Sequence, residues 1–260
     1  MRKAFEKDFI KDLNKLLNSL KIKKGDIVML HLDSKFIGQY FPKNREEAFR
    51  IFFLEVLNKI GKSGTLIVPT FSMSYTENKP YDITNSKSEL GPLSEYFRLN
   101  MGAKRTMDPI YSFSVLGKHS DLLSQNISKS CFGDDSIFSF CFKMKAKLLF
   151  MGCSLDRATF VHFVEEKIGV NYRYFKEFSG ETIFPNNSKR NTQISLYVRK
   201  LNIDSNPNHD ELKKSLTKSN LLNFSTLNRV KCMSVKMKDF FNISAKLLSM
   251  NEYSLINEKI

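Results

Sequence analysis

The sequence has little that would cross-link it or carry it into a membrane. Its four cysteines, Cys131, Cys141, Cys153 and Cys232, are spaced 10, 12 and 79 residues apart. That matches neither a zinc-ligand pattern nor a dense disulfide framework, so they read as buried, reduced thiols. No apolar run approaches the ~20 residues that span a bilayer. The opening M-R-K-A-F-E-K-D-F-I mixes charges through its apolar positions, unlike a signal peptide. A cytoplasmic protein without membrane insertion is the expectation. Internal repeats and low-complexity linkers are also lacking, as are the motifs G-x-x-x-x-G-K-S/T, G-x-G-x-x-G, G-x-S-x-G and H-E-x-x-H. Their absence removes the P-loop, dinucleotide-binding, α/β-hydrolase and zincin readings. No metal site is expected.

Acidic charge is scarce as well: 27 Asp and Glu stand against 41 Lys and Arg, a net +14. Such an excess suits an anionic partner and disfavours a polycationic one. A lysine-rich habit of composition explains it equally well. Nucleic-acid binding would need Lys and Arg gathered on one face with aromatics between them, whereas here they occur in every segment, so no nucleic-acid partner is expected.

What is present is the material of one substantial core: 260 residues, 42% hydrophobic and 26% charged. Phe5, Phe9, Leu13, Leu16, Leu17 and Leu20 fall at helical spacing. Residues 27–32 form a short apolar run that reads as a buried strand, residues 45–60 return to helical spacing, and residues 65–68 form a second buried strand stopped by Pro69. This order is a β-α-β unit. The polar segment 70–91 is too long for a tight connection and is a candidate functional loop. A helix around 92–99, an apolar stretch at 111–116, a buried strand at 147–152, an edge strand at 194–198 and a helical last thirty residues complete the expectation. The predicted architecture is α/β, a layered α/β/α arrangement with a mixed central sheet, in a single domain over 1–260 with two lobes around a cleft as an option.

Chemistry concentrates in M-G-C-S-L-D-R-A-T-F-V-H-F-V-E-E-K-I-G, residues 151–169. A strand runs into a turn, where ligands of open α/β sheets bind. Asp156 stands where an N-cap belongs and Gly169 where the helix ends. Thr159, His162 and Glu165 with Glu166 lie three or four residues apart and share one helix face. A carboxylate on one imidazole nitrogen fixes the tautomer and frees the other nitrogen to take a proton. Equally, His162 has Phe160, Val161, Phe163 and Val164 around it and reads as a packed core residue, with the two glutamates as a solvated face. Other groups are weaker. His31, Asp33 and Ser34 either line the same cleft or cap a turn. Arg105 either binds phosphate or forms a surface pair with Asp108. The turn at 132–136 can present amides to an anion. His119 and His209 stand in polar contexts without an evident role.

Five segments in order resemble the aminoglycoside 3-N-acetyltransferase family: G-D-I-V-M-L-H-L-D-S-K-F-I-G from Gly25, G-T-L-I-V-P-T-F from Gly64, the stretch from Gly91 to Gly117, F-G-D-D-S from Phe132, and K-L-L-F-M-G-C-S-L-D-R-A-T-F-V-H-F-V-E-E from Lys147. The resemblance implies acetyl-CoA as cosubstrate, a small-molecule amine acceptor, no metal, and direct attack of the amine on the thioester. It implies that His162 is the general base, Glu165 its orienting partner and Thr159 a neighbour of the reacting centre. CoA contacts are expected from His31, Ser34, Lys35, Arg105, Ser112, Gly133 and Ser136. Acceptor contacts are expected from Asp33, Thr70, Tyr75, Asp108 and Asp156. A homodimer stays open. Two departures stand out: H-L-D-S at His31 where the family has H-S-S-L, and R-T-M-D-P at Arg105 where it has R-S-x-H-P. Because aminoglycosides are polycations and the chain carries +14, the acceptor expected first is a nucleotide-linked or acidic amino sugar of surface-glycan biosynthesis, with an aminoglycoside as the alternative.

Overall fold

The computed structural model describes residues 2–33, 37 and 44–258. At the centre of a seven-stranded sheet lies β1 (Ile27–Leu32), flanked in parallel by β2 (Thr65–Pro69) and β6 (Lys147–Met151). Beyond β2 the chain adds β5 (Phe113–Gly117) and β4 (Lys104–Arg105), both antiparallel to their neighbours. Beyond β6 it adds β10 (Val230–Lys236) and β9 (Asn223–Leu227), also antiparallel. The order is β4-β5-β2-β1-β6-β10-β9, the mixed central sheet expected.

Alternation along the strands divides the core into two layers. Val28, Leu30, Leu66, Val68, Leu149 and Met151 pack against Phe9, Leu13, Phe52, Phe53 and Phe97, carried by α1 (Arg2–Ser19), α2 (Arg45–Ile60) and α3 (Pro92–Asn100). On the opposite face Met29, Ile67, Phe113, Leu148, Phe150 and Val235 pack against Phe138, Phe160, Phe163 and Phe240. Those rings come from α5 (Ile137–Lys143), α6 (Phe160–Ile168) and α8 (Met237–Met250). Each such side chain contributes about 1.5–3 kcal/mol of transfer free energy, so both faces need a helical cover. The central strands are largely apolar runs because both faces are covered.

Two regions differ from the sequence reading. Residues 173–183 form β7 (Arg173–Ile183), paired over its full length with β8 (Lys189–Arg199) in a second sheet of order β3-β7-β8, with β3 (Tyr81–Asp82) at its margin. Residues 194–198 are thus the inner half of an 11-residue strand. Most of β7 is exposed or half-buried, so it rests on ladder hydrogen bonds and lacks the apolar pattern that would announce it. The second correction concerns the last thirty residues, which begin inside the β9–β10 hairpin and turn helical only at Met237. In β10 Cys232, Met233, Ser234 and Val235 are all buried, so the polar alternation that marks a strand is missing. Among the described residues no helix is long and apolar enough to cross a membrane.

Candidate active site

The site forms where β1 and β6 end side by side. Alternation puts His31 on the α6 side of β1, in register with Phe150, and the two rings stack with centroids 5.1 Å apart. Beyond Met151 the chain leaves the sheet through Gly152, whose φ of +74° favours glycine and whose added Cβ would stand 3.1 Å from Val230 Cγ1. A 3-10 turn follows (Leu155–Arg157), and then α6. Asp156 is not the cap of α6. Its Oδ1 accepts from the backbone N–H of His209 (2.8 Å) and its Oδ2 from Ser154 Oγ (2.8 Å), tying the turn to α7 (Asp210–Lys218). The N-cap of α6 is Thr159, whose side chain makes no capping bond. Gly169 ends α6 in the left-handed region as expected, its N–H donating to the Glu165 carbonyl at 2.9 Å.

One helical turn places His162 Nδ1 2.6 Å from Glu165 Oε2. Glu165 is 1% exposed. Its Oε1 accepts from the Tyr172 hydroxyl at 2.9 Å, and Arg173 Nε stands 2.7 Å from Oε2 as an ion pair. Of the two glutamates only Glu165 serves His162, because Glu166 turns away and accepts from Ser130 Oγ at 2.9 Å. Burial pushes the Glu165 carboxyl up, but His162, Arg173 and Tyr172 outweigh it and hold it below its ordinary value, hence ionised. Burial and the Arg173 charge push His162 below its ordinary value against the pull of Glu165, so its ring is neutral near pH 7. With Nδ1–H directed at a carboxylate, Nε2 carries the lone pair.

A cleft of about 600 Å³ opens over these groups, lined by His31, Asp33, Glu89, Asp156, Thr159 and His162 among others. Among the described residues its charged lining comprises three carboxylates, Asp33, Glu89 and Asp156, and the guanidinium of Arg157. A second cavity of about 920 Å³, between α2, α3 and the 72–91 segment, shares Glu89, Gly91 and Pro92 with it. Both volumes are of the size that small-molecule ligands occupy. Among the described residues no group of three or more His, Cys, Asp or Glu could hold a metal ion.

A family model described as aminoglycoside 3-N-acetyltransferase matches residues 29–249. The chain belongs to this family. It is 23% identical over 175 residues to the SPbeta prophage-derived aminoglycoside N(3')-acetyltransferase-like protein YokD of Bacillus subtilis (strain 168), an alignment covering 58% of this chain and 62% of YokD. The chain therefore matches just under two thirds of that relative's length. Among solved structures, YokD covers 95% of each chain at 17% identity with a TM-score of 0.77. The aminoglycoside acetyltransferase AAC(3)-IIb covers 93% of this chain and 97% of its own at 17% identity and 0.78. AAC-IIIb, solved as a binary complex with CoASH, covers 96% and 98% at 15% identity and 0.76. At these identities the likeness establishes the aminoglycoside 3-N-acetyltransferase fold.

Of the residues expected from this family's pattern, His31, Asp33, Asp156, Thr159 and His162 meet at one cleft, with Glu165 directly behind. A different cluster takes Thr70, Arg105 and Ser112. Arg105 is buried; its Nη2 donates to the Thr70 carbonyl (2.6 Å), its Nε to Ser112 Oγ (3.2 Å) and its Nη1 to the Ser86 carbonyl. It makes no surface pair with Asp108, which correction follows from where that carboxylate points. Asp108 Oδ1 accepts from the N–H groups of Ile110 (2.8 Å) and Tyr111 (2.7 Å), closing a turn away from the cleft. Tyr75 is buried, its hydroxyl donating to the Gly180 carbonyl at 2.6 Å, which ties the 70–91 segment to β7. Gly133 and Ser136 form the turn before α5, where Ser136 Oγ accepts from Ser139 N–H as the cap. Ser34 and Lys35 lie outside the described residues. The sequence reading missed Glu89, Cys153 and Arg157 in the cleft and Tyr172 and Arg173 behind it. Burial pushes the Cys153 thiol up to about 12, so it stays protonated. His209, taken to stand in a polar context, is 1% exposed, with Nδ1 3.0 Å from the Leu155 carbonyl.

Burial pushes His31 down to about 4 from 6.5, and its Nε2 has no hydrogen-bond partner among the described residues. In the free protein the unfolded chain therefore binds this proton first as pH falls from 6.5 to 4. The stability that neutral His31 confers is complete above pH 6.5 and lost towards pH 4, amounting to about 3 kcal/mol. Urea unfolding of wild type and His31→Leu at pH 7 and pH 4.5 measures it. The wild type should lose more than the variant over that interval, and equal losses would refute the assignment.

Proposed function

We propose that this protein transfers an acetyl group from acetyl-CoA to an amino group of an aminoglycoside. The observation carrying the reading is the neutral His162 bonded to the ionised, buried Glu165 at the edge of a cleft lined by carboxylates, in a chain of this family. The acceptor nitrogen attacks the thioester carbonyl, forming C–N as C–S breaks. His162 Nε2 takes the proton shed by the nitrogen and returns it to the departing thiolate, so CoASH leaves and the imidazole ends neutral. Glu165 holds the tautomer and stabilises the imidazolium in between. Thr159, on the cleft wall, is the hydroxyl we assign to the developing oxyanion.

This acceptor replaces the surface-glycan amino sugar favoured by net charge. The family match supports the aminoglycoside, and the physical reason is local: +14 is a property of the whole surface, whereas among the described residues of the cleft the carboxylates Asp33, Glu89 and Asp156 outnumber Arg157. The test is thiol release from acetyl-CoA across aminoglycosides and nucleotide-linked amino sugars, with the products weighed by mass spectrometry. Turnover with aminoglycosides is expected. Turnover confined to nucleotide sugars would restore the earlier acceptor, and silence with every amine would overturn the activity.

A further inference from the structure

Glu165 has more partners than a carboxylate needs to orient one imidazole. After α6 the turn at Gly169 reverses the chain and brings two further side chains onto it, Tyr172 just before β7 and Arg173 at its first position. The Tyr172 hydroxyl donates to Oε1 at 2.9 Å, and the Arg173 guanidinium approaches Oε2 at 2.7 Å, the same oxygen that His162 uses. Arg173 is almost as buried as Glu165, with side chains 8% and 2% exposed, and its Nη1 donates to the Tyr197 carbonyl at 3.2 Å. A buried guanidinium within ion-pair distance cancels most of the field the carboxylate would exert on a neighbouring ring.

We infer that Arg173 and Tyr172 are positioning residues that neutralise Glu165, so that it fixes the tautomer of His162 without fixing a proton on it. The inference rests on the acetyl-transfer reading for its consequence, though not for its measurement. With Glu165 alone beside it, His162 would hold a proton up to a higher pH and be less available to take one from the amine. With Arg173 in place, carboxylate and guanidinium sum to zero and the ring stays a base. The direction of the His162 shift, set by burial and then by Arg173 against Glu165, agrees. Other charged or titratable groups around His162 are His209 at the start of α7 and, in the cleft, His31, Asp33, Glu89, Cys153, Asp156 and Arg157, with Tyr111 and Tyr197 near the Glu165–Arg173 pair. None of these approaches Glu165 as an ion pair. Tyr172 is held as a hydrogen-bond donor because burial and Glu165 both raise its hydroxyl.

The chain has four histidines, so ring C–H signals in NMR, assigned by single His→Gln replacements, follow His162 directly. In Arg173→Met its titration midpoint should rise by about 1–3 pH units, as expected when an opposing charge is removed at this distance. In Arg173→Lys it should stay near wild type. Tyr172→Phe should move it upward by less, and this variant carries the test if Arg173→Met fails to fold. The acid limb of kcat/KM should move with the NMR midpoint, so that activity below both midpoints falls about tenfold for each pH unit moved. A midpoint unmoved in Arg173→Met, or in Tyr172→Phe where the former does not fold, would overturn the inference and leave the two residues as scaffold. Absence of thiol release from the wild type, with the NMR shift intact, would instead count against acetyl transfer.

Discussion

His162→Ala is expected to slow acetyl transfer by about 10²–10⁴-fold, the usual contribution of a positioned general base, with acetyl-CoA affinity within a few fold of wild type. In the proposed reaction the acceptor ammonium must shed a proton before or during attack, and the neutral imidazole, held by Glu165 at 2.6 Å, is the group set to take it. Because burial lowers its proton affinity, it remains a base somewhat below pH 6.5, so the enzyme's acid limb should lie below the value of a free histidine. Its side chain faces the cleft, so the loss should be in kcat. Thiol-release kinetics with calorimetric titration of acetyl-CoA separate turnover from binding. Near-normal turnover, or an equal collapse of CoA binding, would refute the role.

The net charge that argued against an aminoglycoside has a place in the fold. Loops entering the parallel strands carry Lys23, Lys24, Lys62 and Lys145, and antiparallel β5 and β10 end at that same sheet edge with Lys118 and Lys236, all six exposed. The cleft lies at the other edge, beyond the carboxyl ends of β1 and β6. Topology thus places these six lysines at the edge away from the cleft, a placement that composition cannot express.

What could be read in advance follows from how local the determinant is. The strands at 27–32, 65–69 and 147–151 were legible because burial on both faces demands unbroken apolar runs. The pairing of His162 with the glutamates was legible because one helical turn sets it, although spacing alone leaves Glu165 and Glu166 equivalent and only the direction of each side chain separates them. By contrast, β7 lacks a buried face, and Tyr172 and Arg173 reach Glu165 through the Gly169 reversal, which no periodicity records. Arg105 and Asp108 looked like cleft groups by composition. Buried carbonyls and amides, whose need for partners appears only in three dimensions, take up their hydrogen bonds instead.

Glu165→Ala should be the most destabilising single change at the site, by about 3–5 kcal/mol, because it strands the buried Arg173 guanidinium without its counter-charge and the Tyr172 hydroxyl without its acceptor. Removing both charges is gentler than removing one, so Glu165→Ala/Arg173→Met should recover part of the loss, and the double-mutant cycle should show coupling above about 1 kcal/mol. The sign with pH follows from the lowered carboxyl. The folded state holds Glu165 ionised below the ordinary 4.5 of a glutamate, so its stabilisation is complete above that value and is lost as pH falls through the folded one. Wild type and Glu165→Ala should therefore converge in acid and stand furthest apart near pH 7. Urea unfolding at several pH values measures both trends. A deficit under about 1 kcal/mol at pH 7, or one independent of pH, would mean that the Glu165 ion pair does not hold the turn between α6 and β7 in place.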